Sequence, residues 1–331
     1  MKTAIRKLIS PMEKYLFAEL IWMGFKYTKK RRENPLLKPL SWMIRKNVEI
    51  LINRMKIVRK DNSFANEAGT LEEILKKLDL QSQYLVDIGA ADGIRQSSTA
   101  HFLNNRGWIG ALFEYDPDSF SRLAYLYNDR QDITLCKSKV TPLNTPKLLE
   151  ALNVPQDFGY LNIDIDSYDL AVLRAMLDAG FKPSIISMEI NENFGPEFYF
   201  EVTWNENHSW NGDHFFGCSL AAAMSTLSGY GYVLVKMEYN NAIFVGLKDS
   251  SRFELPSDLK QAYLEGYLNK KNRLDLFPWN HLLEFMHSNL PSQEKIKKIE
   301  HVKSCEVEIT FDPPWSKDLM SEEAKLELGM L

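Results

Sequence analysis

The sequence predicts an α/β protein whose mostly parallel sheet is wound with helices on both faces, and three observations predict it. Five apolar runs of strand length recur between residues 84 and 190, separated by helix-like stretches. Those runs are continuously apolar rather than alternating, which marks strands buried on both faces. Two further runs, "GYVLVKMEY" and "AIFVGL", are joined at Asn240-Asn241, a hairpin signal that adds one terminal antiparallel strand. The expectation is a Rossmann-like, doubly wound, seven-stranded sheet with helical N- and C-terminal extensions.

The elements follow in order. Thr70-Leu-Glu-Glu73 reads as a capping box, with a helix running to about Leu78. The first strand is Tyr84–Ile88, and a helix follows from about Gln96 to Asn105. The second strand is Ile109–Glu114. Asp116 then caps a helix that has Pro117 at its first position, where proline loses no hydrogen bond. The third strand is Ile133–Cys136, followed by a short helix over Thr145–Leu152. The fourth strand is Tyr160–Ile165, and its helix runs from about Tyr168 to Ala179, stopped by Gly180. The fifth strand is Ile185–Ile190. A loop-rich stretch reaches Phe216, and a helix covers Ser219–Ser228 before the hairpin.

Composition is that of a globular chain: 331 residues, 45% hydrophobic and 25% charged, which excludes wholesale disorder. Three parts are expected: a basic helical arm over 1–69, the α/β body over 70–248, and a helical or irregular extension over 249–331. The net charge of −4 hides an asymmetry. Residues 1–60 hold sixteen Lys and Arg against four Glu, a surplus of twelve, so the remainder carries −16. A basic arm on an acidic body suggests an anionic partner surface. Tyr15–Phe25 is too short, at about eleven residues, to span a bilayer. Leu16, Phe17, Leu20, Ile21 and Phe25 suit an interfacial face or a face packed on the body. No nucleic-acid module shows in the arm. Cys136, Cys218 and Cys305 are widely spaced without a CxxC pair, which excludes a zinc ribbon and fits a reducing compartment. The expected location is cytoplasmic, with peripheral contact at the inner membrane surface.

The chemistry gathers where strands end. Asp87 closes an apolar run, Gly89-Ala-Ala-Asp-Gly93 makes a tight turn, and Glu114 ends the next strand. Glycines permit close backbone approach, and a following helix N-terminus offers N–H groups to an anion. A carboxylate at the second strand end suits a ribose diol. The dinucleotide pattern G-x-G-x-x-G fails, because the second and third glycines are replaced by Ala91 and Ile94. No P-loop occurs. S-adenosylmethionine, with a carboxylate and a ribose, fits what remains.

"VDIGAADG" followed by "ALFEYDP" resembles the first motif and acidic second-strand end of class I S-adenosylmethionine-dependent methyltransferases. "GYLNIDIDSYDLAVLRAM", "PSIISMEINENFG" and "NNAIFV" resemble the FkbM-like branch, over about residues 70–248. The resemblance implies that Gly89, Ala91 and Gly93 line the methionine end of the cofactor, that Asp87 holds that loop, and that Glu114 binds the ribose. The chain departs from the pattern at Ala91 and Ser167, where Gly is usual. It also lacks an acid after the third strand in "TLCKSKV", where Ser138 is the candidate for the adenine. FkbM-like relatives act on polyketide, glycan and related acceptors, so the implied activity is O-methylation of a hydroxyl on a glycan or small metabolite.

Removing the acceptor's proton calls for a base. Asp164 and Asp166 alternate, so on a strand both would share one face. With His214 they are the candidate catalytic groups. Asp164, Glu189 and Asn191 form an oxygen-rich set that could hold Mg²⁺. Asp166 or Ser167 could instead cap the following helix. The segment Asn205–Gly217, rich in His, Trp and Asn, includes His208 and Trp210 as further candidates. The rival reading is a non-catalytic binding or scaffolding protein, which the departures at Ala91, Ser167 and the third strand would suit.

Overall fold

The computed structural model describes residues 63–210 and 212–300, and the backbone of Val307–Phe311. The basic arm and its apolar face lie outside the described residues.

The body is a seven-stranded sheet in the order β3-β2-β1-β4-β5-β8-β7. Its strands are β1 (Tyr84–Ile88), β2 (Ile109–Glu114), β3 (Ile133–Lys137), β4 (Tyr160–Ile163), β5 (Ile185–Glu189), β7 (Tyr232–Glu238) and β8 (Asn241–Gly246). β1 to β5 pair in parallel. β8 runs antiparallel to both β5 and β7. It is the single reversed strand of the sheet, as the hairpin at Asn240-Asn241 predicts.

Alternate residues of each strand feed two apolar layers. Val86, Ile88, Phe113, Leu161, Ile163, Ile186 and Met188 face one side. There they meet α4 (Thr145–Ala151), α5 (Asp169–Asp178) and α6 (Leu220–Gly229). Leu85, Leu112, Tyr160, Ile185 and Ile243 face the other. That layer is closed by α1 (Glu67–Leu75), α2 (Thr99–Asn105) and α3 (Pro117–Leu126). Continuous apolar runs were required because both faces are covered. The chain crosses from one face to the other after β3. Strand β1 therefore lies where the winding direction reverses, and ligands of open sheets bind beyond the strand ends at such a point.

Three local expectations are corrected. α1 begins at Glu67, not Thr70. Asn66 takes a left-handed conformation before it, and the Ser63 hydroxyl accepts from Ala68 N at 2.8 Å, so an earlier serine supplies the cap. The helix expected from Gln96 starts at Thr99, because Gln96 is held at φ 54° in the preceding turn. A strand stands where a loop was expected: β6 (Phe198–Val202) pairs antiparallel with β9 (Val307–Phe311) in a second, two-stranded sheet.

Beyond the hairpin the chain returns to the first apolar layer. Leu259, Tyr263 and Tyr267 come from α7 (Leu259–Tyr263) and the wide turn after it. Phe277, Leu283, Met286 and Ile299 follow, the last from the closing helix Ser292–Glu300. No helix among the described residues is long and apolar enough to cross a membrane.

Candidate functional site

A cavity of about 540 Å³ opens where β1, β2 and β4 end, a volume typical of small-molecule sites. The turn after β1 forms its floor. Gly89 N and Ala90 N both donate to Phe113 O at 3.0 Å, which fastens the turn to β2. Gly89 has φ +96°, and a Cβ there would lie 1.7 Å from the Asp164 carbonyl oxygen. Only glycine lets the turn pass so close over β4. Ala91 also has positive φ, 48°, a strained choice for a residue with a Cβ. Its position still lines the cavity. Gly93 does not line it; Gly93 packs inward, where a Cβ would approach Leu123 Cδ1 to 2.5 Å.

Asp87 anchors this floor from below. Its carboxylate accepts from Thr99 Oγ1 at 2.5 Å and from Asn162 Nδ2 at 2.9 Å, tying β1 to the start of α2 and to β4. Burial pushes its carboxyl up to about 6, against the pull of those two hydrogen bonds. Glu114 stands at the end of β2, on the cavity, with Oε1 accepting from Asp116 N at 2.5 Å. Ser138 follows β3 on the same wall, its N–H donating to Glu114 O at 3.2 Å.

The far wall is acidic. β4 ends at Ile163, so Asp164 and Asp166 lie past the strand in a turn, with Asp166 at φ 54°. They therefore do not share a strand face. The turn nevertheless brings oxygens of Asp164, Asp166 and Glu189 within 4.8 Å of one another. Burial, then the crowding of neighbouring carboxylates, holds Asp164 and Glu189 well above the usual carboxylate range. Burial and Asp169 push Asp166 up to about 6. Glu189 is steadied by Asn240 Nδ2 at 2.9 Å on one oxygen, while its other oxygen is buried without a protein partner.

Neither Asp166 nor Ser167 caps α5. Asp169 closes the turn instead, accepting from Ile165 N at 2.8 Å and Ser167 N at 3.0 Å. Ser167 is left on the cavity wall with a buried hydroxyl that no protein group satisfies. Asn191 stands apart from the acids. Its amide nitrogen donates to His214 O and Phe216 O, and its oxygen accepts from Asn193, so Asp166 takes the third place in the oxygen cluster.

No family model matches the sequence. Among curated proteins, a 37-residue stretch is 51% identical to an Fe-S protein maturation auxiliary factor of Porphyromonas gingivalis. That stretch covers 11% of this chain and 35% of the relative, so the match spans about a third of that protein's length. The chain is also similar to the solved N-terminal domain of EvdMO1 in the presence of SAH and D-fucose. Identity there is 10%, over 61% of this chain and 96% of that one, with a TM-score of 0.38. It is similar to fibrillarin of Aeropyrum pernix with natively bound S-adenosyl-L-methionine, at 13% identity over 54% and 74% of the two chains, with a TM-score of 0.34. A third likeness is to an O-methyltransferase family 2 protein of Planctomyces limnophilus in complex with apigenin. It is 13% identical over 49% of each chain, with a TM-score of 0.29. These likenesses are distant; the fold assignment rests on the strand order itself.

The remaining wall comes from the segment between β6 and α6. His208, Ser209 and Trp210 face the cavity, whereas His214 does not line it. Sequence reasoning singled out His214 because nothing local separates two histidines on one irregular segment. Trp210 is held by Nε1 donating to Asp213 O at 3.0 Å and by an edge contact with Phe216. Trp204 packs on the core instead. Tyr168, Arg95 and Lys139 also line the cavity. The spacing of strand-end motifs carries no signal for any of the three.

Proposed function

We propose that the chain is an S-adenosylmethionine-dependent methyltransferase of the FkbM-like kind, acting on a hydroxyl of a glycan or small metabolite. The observation that carries this reading is a single cavity with the Gly89-Ala91 turn as floor and Glu114 at its second strand end. Its chemistry fits the cofactor. Asp87, Glu114, Asp116, Asp164 and Asp166 line it, which favours a ligand bearing a sulfonium and an ammonium. The unsatisfied Ser167 hydroxyl offers a further polar contact. Gly89, Ala91 and Asp87 would hold the amino-acid end, Glu114 the ribose and Ser138 the adenine. The cofactor supplies a methyl group on a positively charged sulfur. The protein's part is to orient the acceptor in line and receive its proton.

The Asp164, Asp166 and Glu189 oxygens support Mg²⁺ as a second ligand that would polarise the acceptor hydroxyl. Calorimetric titration of S-adenosylmethionine and S-adenosylhomocysteine, with and without Mg²⁺, tests both parts. The expected result is binding at micromolar levels that weakens at least tenfold in Glu114→Ala. Because burial raises the proton affinity of the acid cluster, Mg²⁺ and protons should compete for it, and the heat of Mg²⁺ uptake should vary with the buffer's ionisation enthalpy. A folded protein that binds neither cofactor form would leave a binding or scaffolding role as the better account.

The positive surplus over residues 1–60 supports an anionic membrane surface as the place of work. The full chain should sediment with vesicles containing anionic phospholipid at low salt and be released by ~0.5 M NaCl. Equal recovery with neutral and anionic vesicles would remove the membrane from the proposal.

A further inference from the structure

We infer that His208, positioned by Lys139, is the group that takes the acceptor's proton. This rests on the methyltransferase reading and chooses between the two histidines that the sequence offered, His208 and His214. Lys139 leaves the end of β3, and its ammonium donates to the carbonyls of His208 at 3.0 Å and Glu206 at 3.2 Å. It thereby ties the cofactor wall to the segment that closes the opposite side. The segment is already turned to receive it: His208 N donates to Asn205 O at 2.9 Å, and Asn207 N to Asn205 Oδ1 at 2.9 Å.

The imidazole then meets the Tyr168 ring edge-on, at 6.1 Å between centroids. That ring is fixed, because Tyr168 OH donates to Val140 O at 3.1 Å. His208 Nε2 is buried and has no protein partner, in a side chain that lines the cavity. A ring fixed in place on the wall of a substrate cavity, with one nitrogen that no protein group satisfies, has the form of a general base. The charged groups that act on it are Lys139 from the β3 end and Asp213 on its own segment; Tyr168 at the start of α5 packs against it, and the cavity it lines also carries Asp164 and Asp166. Burial, and then Lys139, hold the imidazole below its usual range, with Asp213 opposing, so it is unprotonated at neutral pH. In the transfer, a lone pair of the acceptor oxygen forms the bond to the methyl carbon. The carbon–sulfur bond breaks with its electrons staying on sulfur, and the acceptor's proton passes to His208 Nε2.

The test needs no acceptor. Sinefungin carries an amino group where the methyl group sits, whereas S-adenosylhomocysteine carries nothing there. His208 is followed by NMR in the full chain labelled with ¹³C-histidine, its resonance identified as the one missing in His208→Gln. We expect its proton affinity to be about tenfold lower in the sinefungin complex than in the S-adenosylhomocysteine complex, because a like charge beside a base disfavours its protonation. Lys139→Met should raise that affinity in the free protein. Identical titration in the two complexes would overturn the inference while leaving the cofactor reading intact. Failure of both compounds to bind would instead remove the reading on which it rests.

Discussion

Gly89→Ala should abolish cofactor binding and lower the unfolding free energy by about 3–5 kcal/mol. The figure joins two costs. A residue with a Cβ held at positive φ carries roughly 1–3 kcal/mol of strain, and overpacking a filled site adds a similar amount. Here the added atom would meet the Asp164 carbonyl at 1.7 Å, and a backbone oxygen in a turn cannot swing away as a side-chain end can. The turn must lift, and lifting it moves Asp164 as well, so floor and acidic wall are lost together. Gly107→Ala is the control. Gly107 also has positive φ, 72°, but nothing lies within 4 Å of where a Cβ would stand. It should cost about 1–2 kcal/mol and leave the cofactor affinity unchanged. Thermal unfolding and calorimetry of the two variants decide the matter. Equal melting temperatures for both would show that the close approach of Gly89 to Asp164 is not essential.

Glu192→Gln should stabilise the protein at pH 8 by roughly 3 kcal/mol and have little effect at pH 5. Glu192 is fully buried. One oxygen accepts from Asn280 Nδ2 at 2.5 Å, and the other has no protein partner. Burial pushes its carboxyl from 4.5 up to about 7. Between those values the folded chain holds a proton that the unfolded chain has released. The carboxyl therefore contributes stability below pH ~4.5 that is lost as pH rises through 7. Asp87 and Asp166, each raised to about 6, act in the same direction. His287 acts in the other. Burial holds it down to about 4, so its stability contribution is lost as pH falls from 6.5 through 4. By pH 8 the histidine effect is complete and the carboxylate cost is full. At about 2–4 °C per kcal/mol for a chain of this size, the Gln variant should melt roughly 6–12 °C higher at pH 8. A variant that melts at or below the parent temperature there would show that Glu192 is not forced to bury its charge.

Much of the body is legible in the sequence because its signals are local. The ranges Tyr84–Ile88 and Ile109–Glu114 coincide with β1 and β2, since a Gly turn and Asp116-Pro117 stop them abruptly. Asp116 caps α3 as read, accepting from Ser119 N at 2.8 Å. β6 was not legible. "FYFEV" lies just after Gly195-Pro196, and its partner β9 is about 100 residues away, so no window of sequence contains the pair. The site divides in the same way. Asp87, Gly89, Ala91, Glu114, Ser138, Asp164 and Asp166 line one cavity, because strand ends in a parallel sheet meet by topology. Asn191 and His214 sit on irregular backbone, whose direction is set by distant hydrogen bonds. His208 and Lys139 depend on a contact 69 residues apart in the chain, which neither composition nor periodicity records.

The pairing of β6 with β9 also has a consequence in time. As the chain is synthesised, one side of β6 is covered early, by Val202 N donating to Gly217 O and Ser219 N to Phe200 O. The other side waits for Val307–Phe311. At about 5–20 residues per second, that wait is on the order of 5–20 s, with a row of backbone N–H and C=O groups open throughout. Two nascent chains on one message would present the same open row to each other, and an unpaired edge is a template for pairing. The ladder that closes the finished molecule is thus the place where crowded synthesis would first join two copies.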